Sequence, residues 1–402
     1  VNQQQSGEIT RPKGFVAAGV HCGVKKAKRD LALVCSSVPA TAAAVFTTNS
    51  VVAAPVMVDR TQLGTSSIAQ AIVVNSGNAN ACTGERGLND AWAMVKTTAR
   101  VLGIPEQNVL VSSTGVIGQY LPLEKILTGI EQAAPALSAE GGIDAAQAIM
   151  TTDTFPKEGS VQLELSGVTV SLGGMAKGSG MIAPNMATML AFVTTDVSIS
   201  PEALRSALRQ AVDRSFHRIS VDGDTSTNDM VAVLANGLAG NRTITTSEDS
   251  SYPDFYAGLE FLLVKLAKMI VVDGEGATKF VEVKVVGAAT EAIAVRAARS
   301  IANSNLVKTA LHGEDANWGR VLAALGYSGI SFDDAQVEIS FGELPILRKN
   351  YFIEFSEAEA KRVLSQKEVT ITVNLHQGTS AASFWTCDLS KEYVAINANY
   401  RT

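Results

Sequence analysis

Histidine and cysteine are scarce in this chain, four of each in 402 residues, and they are spread too widely for shared chemistry. Cys22, Cys35, Cys82 and Cys387 show no CxxC spacing, and only Cys22 has a histidine beside it, His21. Adjacent side chains rarely converge on one ion, so no metal site is expected, and the thiols are expected to be reduced and mostly buried. His21, His217, His312 and His376 are scattered without a GxSxG elbow, which argues against a Ser–His–Asp hydrolase. A GxGxxG fingerprint opening a helix is also absent, so a dinucleotide site has little support. Charge is sparse: 18% of residues are charged against 46% hydrophobic, the balance of a packed chain and not a disordered one. The net charge of −6 leaves no basic excess for a polyanion, so nucleic acid is not an expected partner.

Three long segments carry no charge: Leu31 to Val58, Thr61 to Gly84, and Gly178 to Thr195. Pro39, Pro55 and many Ser, Thr and Asn residues interrupt the first two, and Gly178, Gly180, Pro184 and Asn185 crowd the third. An isolated helix in lipid would satisfy its backbone badly in all of them, so no membrane span is expected. Val1 to Gly7 is polar and no apolar run follows it, which leads to a cytoplasmic expectation.

Strand and helix signals alternate. Leu31 to Cys35 and Ala71 to Val74 read as strands, Asn89 to Leu102 as a helix leaving at Gly103 and Pro105, and Leu123 to Ala134 as another. Asn108 to Ser112 reads as a short buried strand entering a loop at Ser113-Thr114-Gly115. Val161 to Leu172 is a hairpin turning at Ser166-Gly167. Ser200-Pro201-Glu202 opens a helix, Phe255 to Met269 is a strong one, and Lys279 to Val286 and Val369 to Asn374 are strands. Ser356 with Glu359 makes a capping box. The pattern predicts an α/β fold of mixed helix and sheet layers, not a strictly parallel doubly wound sheet.

The chemistry concentrates in Lys177 to Leu190. Glycines and Pro184 make a constrained approach, small Ala187 follows, and Thr188 heads an apolar strand-like run. A hydroxyl so placed can attack the carbonyl before it, and hydrolysis of the resulting ester frees a new amino terminus on Thr188. That α-amine, with an ordinary pKa of about 7.7–8.0, can then serve as base for its own hydroxyl. Taken alone, the segment reads more readily as an ordinary threonine beginning a buried strand.

Seven further blocks change the balance. Asn75 to Gly84, Val111 to Gly118, Thr151 to Lys157, Asp222 to Asp229, Asp273 to Lys279, Asn317 to Arg320 and Ile396 to Thr402 stand in order around the Thr188 segment. Together they resemble the ornithine acetyltransferase (glutamate N-acetyltransferase) family of arginine biosynthesis, from residue 75 to the end. The resemblance implies a self-processing, N-terminal-nucleophile-type enzyme with that family's fold, cut between Ala187 and Thr188 into an α piece (1–187) and a β piece (188–402), paired as α2β2.

The resemblance also implies the roles. Thr188 is the nucleophile, and Thr114 and Gly115 form the oxyanion hole, whose donors are typically worth about 2.7–4 kcal/mol each. Thr154, Lys177, Thr188, Glu275, Asn397 and Thr402 contact substrate. Amino-acid substrates need opposite charges, and Lys177 and Glu275 supply one of each. The implied reaction is ping-pong acetyl transfer from N2-acetyl-L-ornithine to L-glutamate, with no cofactor. Whether acetyl-CoA is also a donor stays open, as does an aminopeptidase or amidase of related architecture. Asp222 to Asp229 has alternating oxygens like a calcium loop but lacks its sixth-place glycine and twelfth-place glutamate, so a self-satisfied turn is expected there.

Overall fold

Runs such as Val109-Leu110-Val111 and Met230 to Ala235 are apolar at every position, which suits strands covered on both faces, and that is where they sit. The structure, a computed structural model, describes residues 7–183, 189–353 and 355–399. The first sheet has eight strands: β1 (Phe15–Val20), β2 (Leu31–Phe46), β3 (Ile68–Asn78), β4 (Val109–Val116), β5 (Lys157–Leu165), β6 (Val168–Lys177), β7 (Leu190–Thr195) and β8 (Met230–Ala235). Its order is β4-β3-β2-β8-β7-β6-β5, with β1 pairing the first half of β2. The pairs β3–β4 and β7–β8 are parallel and the others antiparallel, the mixed layout the sequence suggested.

Helices Gly84–Leu102 and Leu123–Ala133 cover β1 to β4 on one side, burying Met94, Val95, Ile126 and Ile130 against Leu33, Val73 and Val111. Helices Pro201–Asp213 and Tyr252–Val272 pack on β5 to β8 through residues such as Leu204, Phe255 and Leu266. The second sheet holds β9 (Phe280–Ala288), β10 (Glu338–Phe341), β11 (Leu344–Arg348), β12 (Phe352–Ile353), β13 (Glu368–Asn374) and β14 (Ser380–Cys387), in the order β12-β11-β10-β13-β9-β14. Its core includes helix Glu291–Ala302 through Ala294, Ala298 and Ile301. Trp385 and Cys387 of β14 join the core of the first sheet, so the two sheets share a boundary near helix Tyr252–Val272.

Several local expectations match. The hairpin pairs Val161 with Leu172 and Leu163 with Val170. Ser356 accepts the Glu359 N–H at the start of helix Glu357–Leu364, and Ser200 caps helix Pro201–Asp213 the same way. Three expectations are corrected. β2 does not stop at Cys35 but runs through Pro39 to Phe46; its register to β3 is irregular between Cys35 and Ala40, where a residue without an N–H is tolerated. Ser113 to Gly115 is not a loop, because β4 continues to Val116 alongside Asn75 to Asn78. Of the four thiols, all free, only Cys387 is fully buried, and Cys82 is exposed. No helix among the described residues is long and apolar enough to cross a membrane.

Candidate active site

Where β3, β4 and β6 end and β7 begins, a cavity of about 200 Å³ opens. Thr114 and Gly115 from β4, Lys177 from β6, Asn228 from the turn before β8, and Glu275 and Asn397 from further along the chain line it. A free amino acid fits this volume and a folded polypeptide does not.

The asparagine block Asn75 to Gly84 builds the floor. Asn75 Nδ2 donates to Asn78 O at 2.9 Å, and Ser113 Oγ donates to Asn75 Oδ1 at 2.6 Å, which ties the two strand ends together. Asn228 Nδ2 reaches both Ala79 O (2.6 Å) and Ser113 O (2.9 Å). Gly115 has φ of 133°, and a Cβ there would lie 2.3 Å from the carbonyl carbon of Gly77. Gly115→Ala must therefore push two backbones apart, and we expect a stability loss of about 1–3 kcal/mol, read as a lower denaturant midpoint. An unchanged midpoint would contradict this packing.

Lys177 is buried and donates from Nζ to Thr151 Oγ1 at 2.7 Å and to Thr114 Oγ1 at 3.3 Å. Burial lowers its pKa, and the neighbouring Asp153 carboxylate opposes that shift. For Asp153, burial alone would raise the pKa. Lys177 and Lys157, with a hydrogen bond from the Gly178 N–H, hold the carboxyl well below the usual carboxylate range instead. Lys157 is fully buried between Asp153 (2.7 Å) and Asp273 (2.6 Å). Two ammonium groups and two carboxylates thus form one buried charge network beneath the cavity.

Glu275 occupies the other side, accepting from Asn397 Nδ2 at 2.9 Å. Its carboxylate lies against Gly180, where a Cβ would be 2.3 Å from Oε2, which explains one glycine of the Lys177–Gly180 run. Asn397 sits in helix Lys391–Asn399, and Tyr393 of that helix donates to Asp222 Oδ2 at 3.2 Å. This helix is therefore tied to the body of the fold through Tyr393 and Asn397. Asp222 also accepts the N–H groups of Met181 (2.6 Å) and Ile182 (2.8 Å), so its carboxylate anchors the segment leading toward residue 187. Among the described residues, no group of three or more acidic, His or Cys side chains is placed to hold a metal ion. The Asp222 loop is more than the self-contained turn expected, since its first acid bonds the segment after β6, about forty residues earlier.

The structure thus brings Thr114, Gly115, Lys177, Glu275 and Asn397 to one cavity. Thr154 does not line it: its backbone N–H and hydroxyl both bond Asp273 instead. Ala187, Thr188 and Thr402 lie outside the described residues. Just after the undescribed segment, Leu190 sits opposite both Lys177 and Met230, and the Met189 N–H bonds Asp229 Oδ1 at 3.0 Å. Sequence reading missed Asp153, Lys157 and Asp273 as a unit, and Asp222, Asn228 and Asp229 as builders of the site. His312 bonds the buried Asp388 at 2.7 Å, and that acid holds the N–H groups of Thr278 and Lys279.

A mixed α/β frame around a small, charge-lined cavity defines an enzyme for a small polar substrate. The model of the ArgJ family matches residues 16–402. The arginine biosynthesis bifunctional protein ArgJ of Symbiobacterium thermophilum is 56% identical over 400 residues, covering 99% of each chain. That of Caldanaerobacter subterraneus subsp. tengcongensis is 54% identical over 402 residues, covering 98% of this chain and 99% of its own. A crystal structure of the Bacillus halodurans protein of the same name is 47% identical with a TM-score of 0.51, covering 52% of this chain and 98% of its own. This chain belongs to the ArgJ family and is a transferase of arginine biosynthesis.

Proposed function

We propose that the chain cuts itself between Ala187 and Thr188 and then carries acetyl from N2-acetyl-L-ornithine to L-glutamate as an ester on Thr188. The observation that carries this reading is the convergence at the head of β7. The strand position two residues after Thr188 faces Lys177, and Lys177 in turn bonds Thr114. Because Lys177 donates into the Thr114 oxygen, the Thr114 hydroxyl proton is free to point at an oxyanion, and the Gly115 amide is its partner. The buried ammonium of Lys177 suits a substrate carboxylate, and Glu275, oriented by Asn397, suits a substrate ammonium. Thr154, bonded to Asp273, contributes by shaping the loop above the charge network.

In the first half-reaction Thr188 Oγ attacks the acetyl carbonyl and passes its proton to the α-amine of the same residue. Ornithine leaves with that proton, and glutamate then reverses the sequence. The acyl group stays activated as an ester, so no cofactor is needed. A relative whose crystallised chain is matched almost whole by 52% of this one supports division of the chain into pieces. The two pieces stay paired, as α2β2, in the cytoplasm. The name bifunctional, carried by the curated relatives, favours a second activity, acetyl transfer from acetyl-CoA to glutamate.

Purified protein should run as pieces 1–187 and 188–402, and ornithine release from acetylornithine should depend on added glutamate. Release at full rate without an acceptor would instead identify an amidase.

A further inference from the structure

A second hollow, of about 510 Å³, shares no lining residue with the reaction cavity. It lies between the end of helix Pro201–Asp213, with the turn Phe216–Arg218 that follows, and helix Glu291–Ala302. Arg214 and Arg218 line it from the first side, and Arg296 and Arg299 from the second. Residues 292, 295, 296 and 299 are three and four apart and share one stripe of their helix, while Ala294, Ala298 and Ile301 enter the core. Helical spacing thus brings both arginines to the hollow.

Two carboxylates face these four guanidinium groups. Asp213 Oδ1 lies 2.7 Å from His217 Nδ1. Glu291 takes both ion pairs of the hollow, at 2.6 Å to Arg218 and 3.7 Å to Arg214. Arg296 and Arg299 form no ion pair among the described residues. Arg299 Nε is buried and has no hydrogen-bond partner among them. Burial, and then the charges of Arg218 and Arg296, lower the Arg299 pKa. Four positive groups against two negative ones leave an excess of two, in a chain whose net charge is −6. An arginine that only covers a surface turns its head to water. Here a guanidinium nitrogen is turned inward among like charges with nothing to donate to, which is unfavourable until an acceptor arrives.

We propose that this hollow binds a phosphate-bearing small molecule, with the phosphate among Arg218, Arg296 and Arg299. The inference is independent of the Thr188 reading. A phosphate group brings about −1.5 to −2 charge and three acceptor oxygens, which matches the excess. The planar arginine fork bonds such oxygens in pairs. A space of this size exceeds one phosphate, so an organic part has room against Ala292 and Val295.

Isothermal titration calorimetry of the whole protein tests this, with pyrophosphate, AMP and citrate as probes. We expect a phosphate probe to bind, and Arg296→Gln with Arg299→Gln to weaken it about 100-fold, since each charge-assisted contact is commonly worth roughly tenfold or more. Glu291→Gln should act in the opposite direction, tightening binding about tenfold by releasing Arg214 and Arg218. A gain in affinity cannot come from a damaged fold. AMP binding more tightly than pyrophosphate supports an organic phosphate as occupant, and the reverse supports a free inorganic one. No binding of either at about 10 mM overturns the proposal, as does binding that the double variant leaves unchanged. An affinity that Glu291→Gln does not raise overturns the placement of the phosphate. Citrate held as tightly as pyrophosphate overturns the assignment to phosphate.

Discussion

Thr188→Ala should leave one uncut polypeptide and no measurable acetyl transfer. Both outcomes follow from a single oxygen. Without Oγ there is no nucleophile for the Ala187 carbonyl, so the amine is never released, and there is no atom to carry the acetyl ester. Removing a nucleophile commonly costs on the order of 10⁴–10⁶ in turnover, which places the variant at background. Gel electrophoresis reads the first outcome and an ornithine-release assay the second. Thr188→Ser is the companion variant: it keeps a hydroxyl, should still cut, and should retain a fraction of the activity. An alanine variant that divides at the same bond would show that another group performs the cleavage.

The second large effect concerns Lys157, fully enclosed between Asp153 and Asp273. Lys157→Met preserves most of the volume and leaves two buried carboxylates without the charge they share. Breaking a buried ion network by removing one member typically costs about 3–5 kcal/mol, and a chemical denaturation curve at neutral pH should show a loss of that order. The sign of the pH dependence follows from Asp153. Its folded pKa is depressed below the unfolded value of about 3.9, so it contributes stability that is present above that value and lost as pH falls through the folded pKa. Wild type and variant should therefore differ most near pH 7, and the gap should narrow below about pH 4. A gap independent of pH would mean the loss comes from packing and not from charge.

The outline of the fold was legible in local pattern. Alternation gave the 161–172 hairpin, and spacing with exit signals gave the helix ending at Leu102, because each depends on neighbours close in sequence. The strand through Pro39 was not, since proline normally ends a strand and only the irregular β2–β3 register makes room for it. Within the site, Thr114, Gly115, Lys177, Glu275 and Asn397 were all legible only through the resemblance; taken alone, Lys177 reads as a loop lysine and Glu275 as a turn acid. The charge network was hidden for a physical reason. Whether Asp153 and Lys157 face water or each other is decided by Asp273, 116 residues beyond Lys157, and no local pattern carries that distance. Asp222 was obscured likewise: its alternating oxygens resemble a cation loop until the N–H groups of residues 181 and 182 are seen to occupy it.

The strand order of the first sheet bears on how a divided chain would behave. β7 and β8 follow the proposed cut, yet they lie between β2 and β6, which precede it. The later polypeptide thus slots into the earlier one like a tongue into a groove, with ladder hydrogen bonds along both of its flanks. Pulling it out would bare two rows of amide and carbonyl groups at once. An affinity tag on either piece should consequently recover both in equal amounts, through washes that part ordinary subunits.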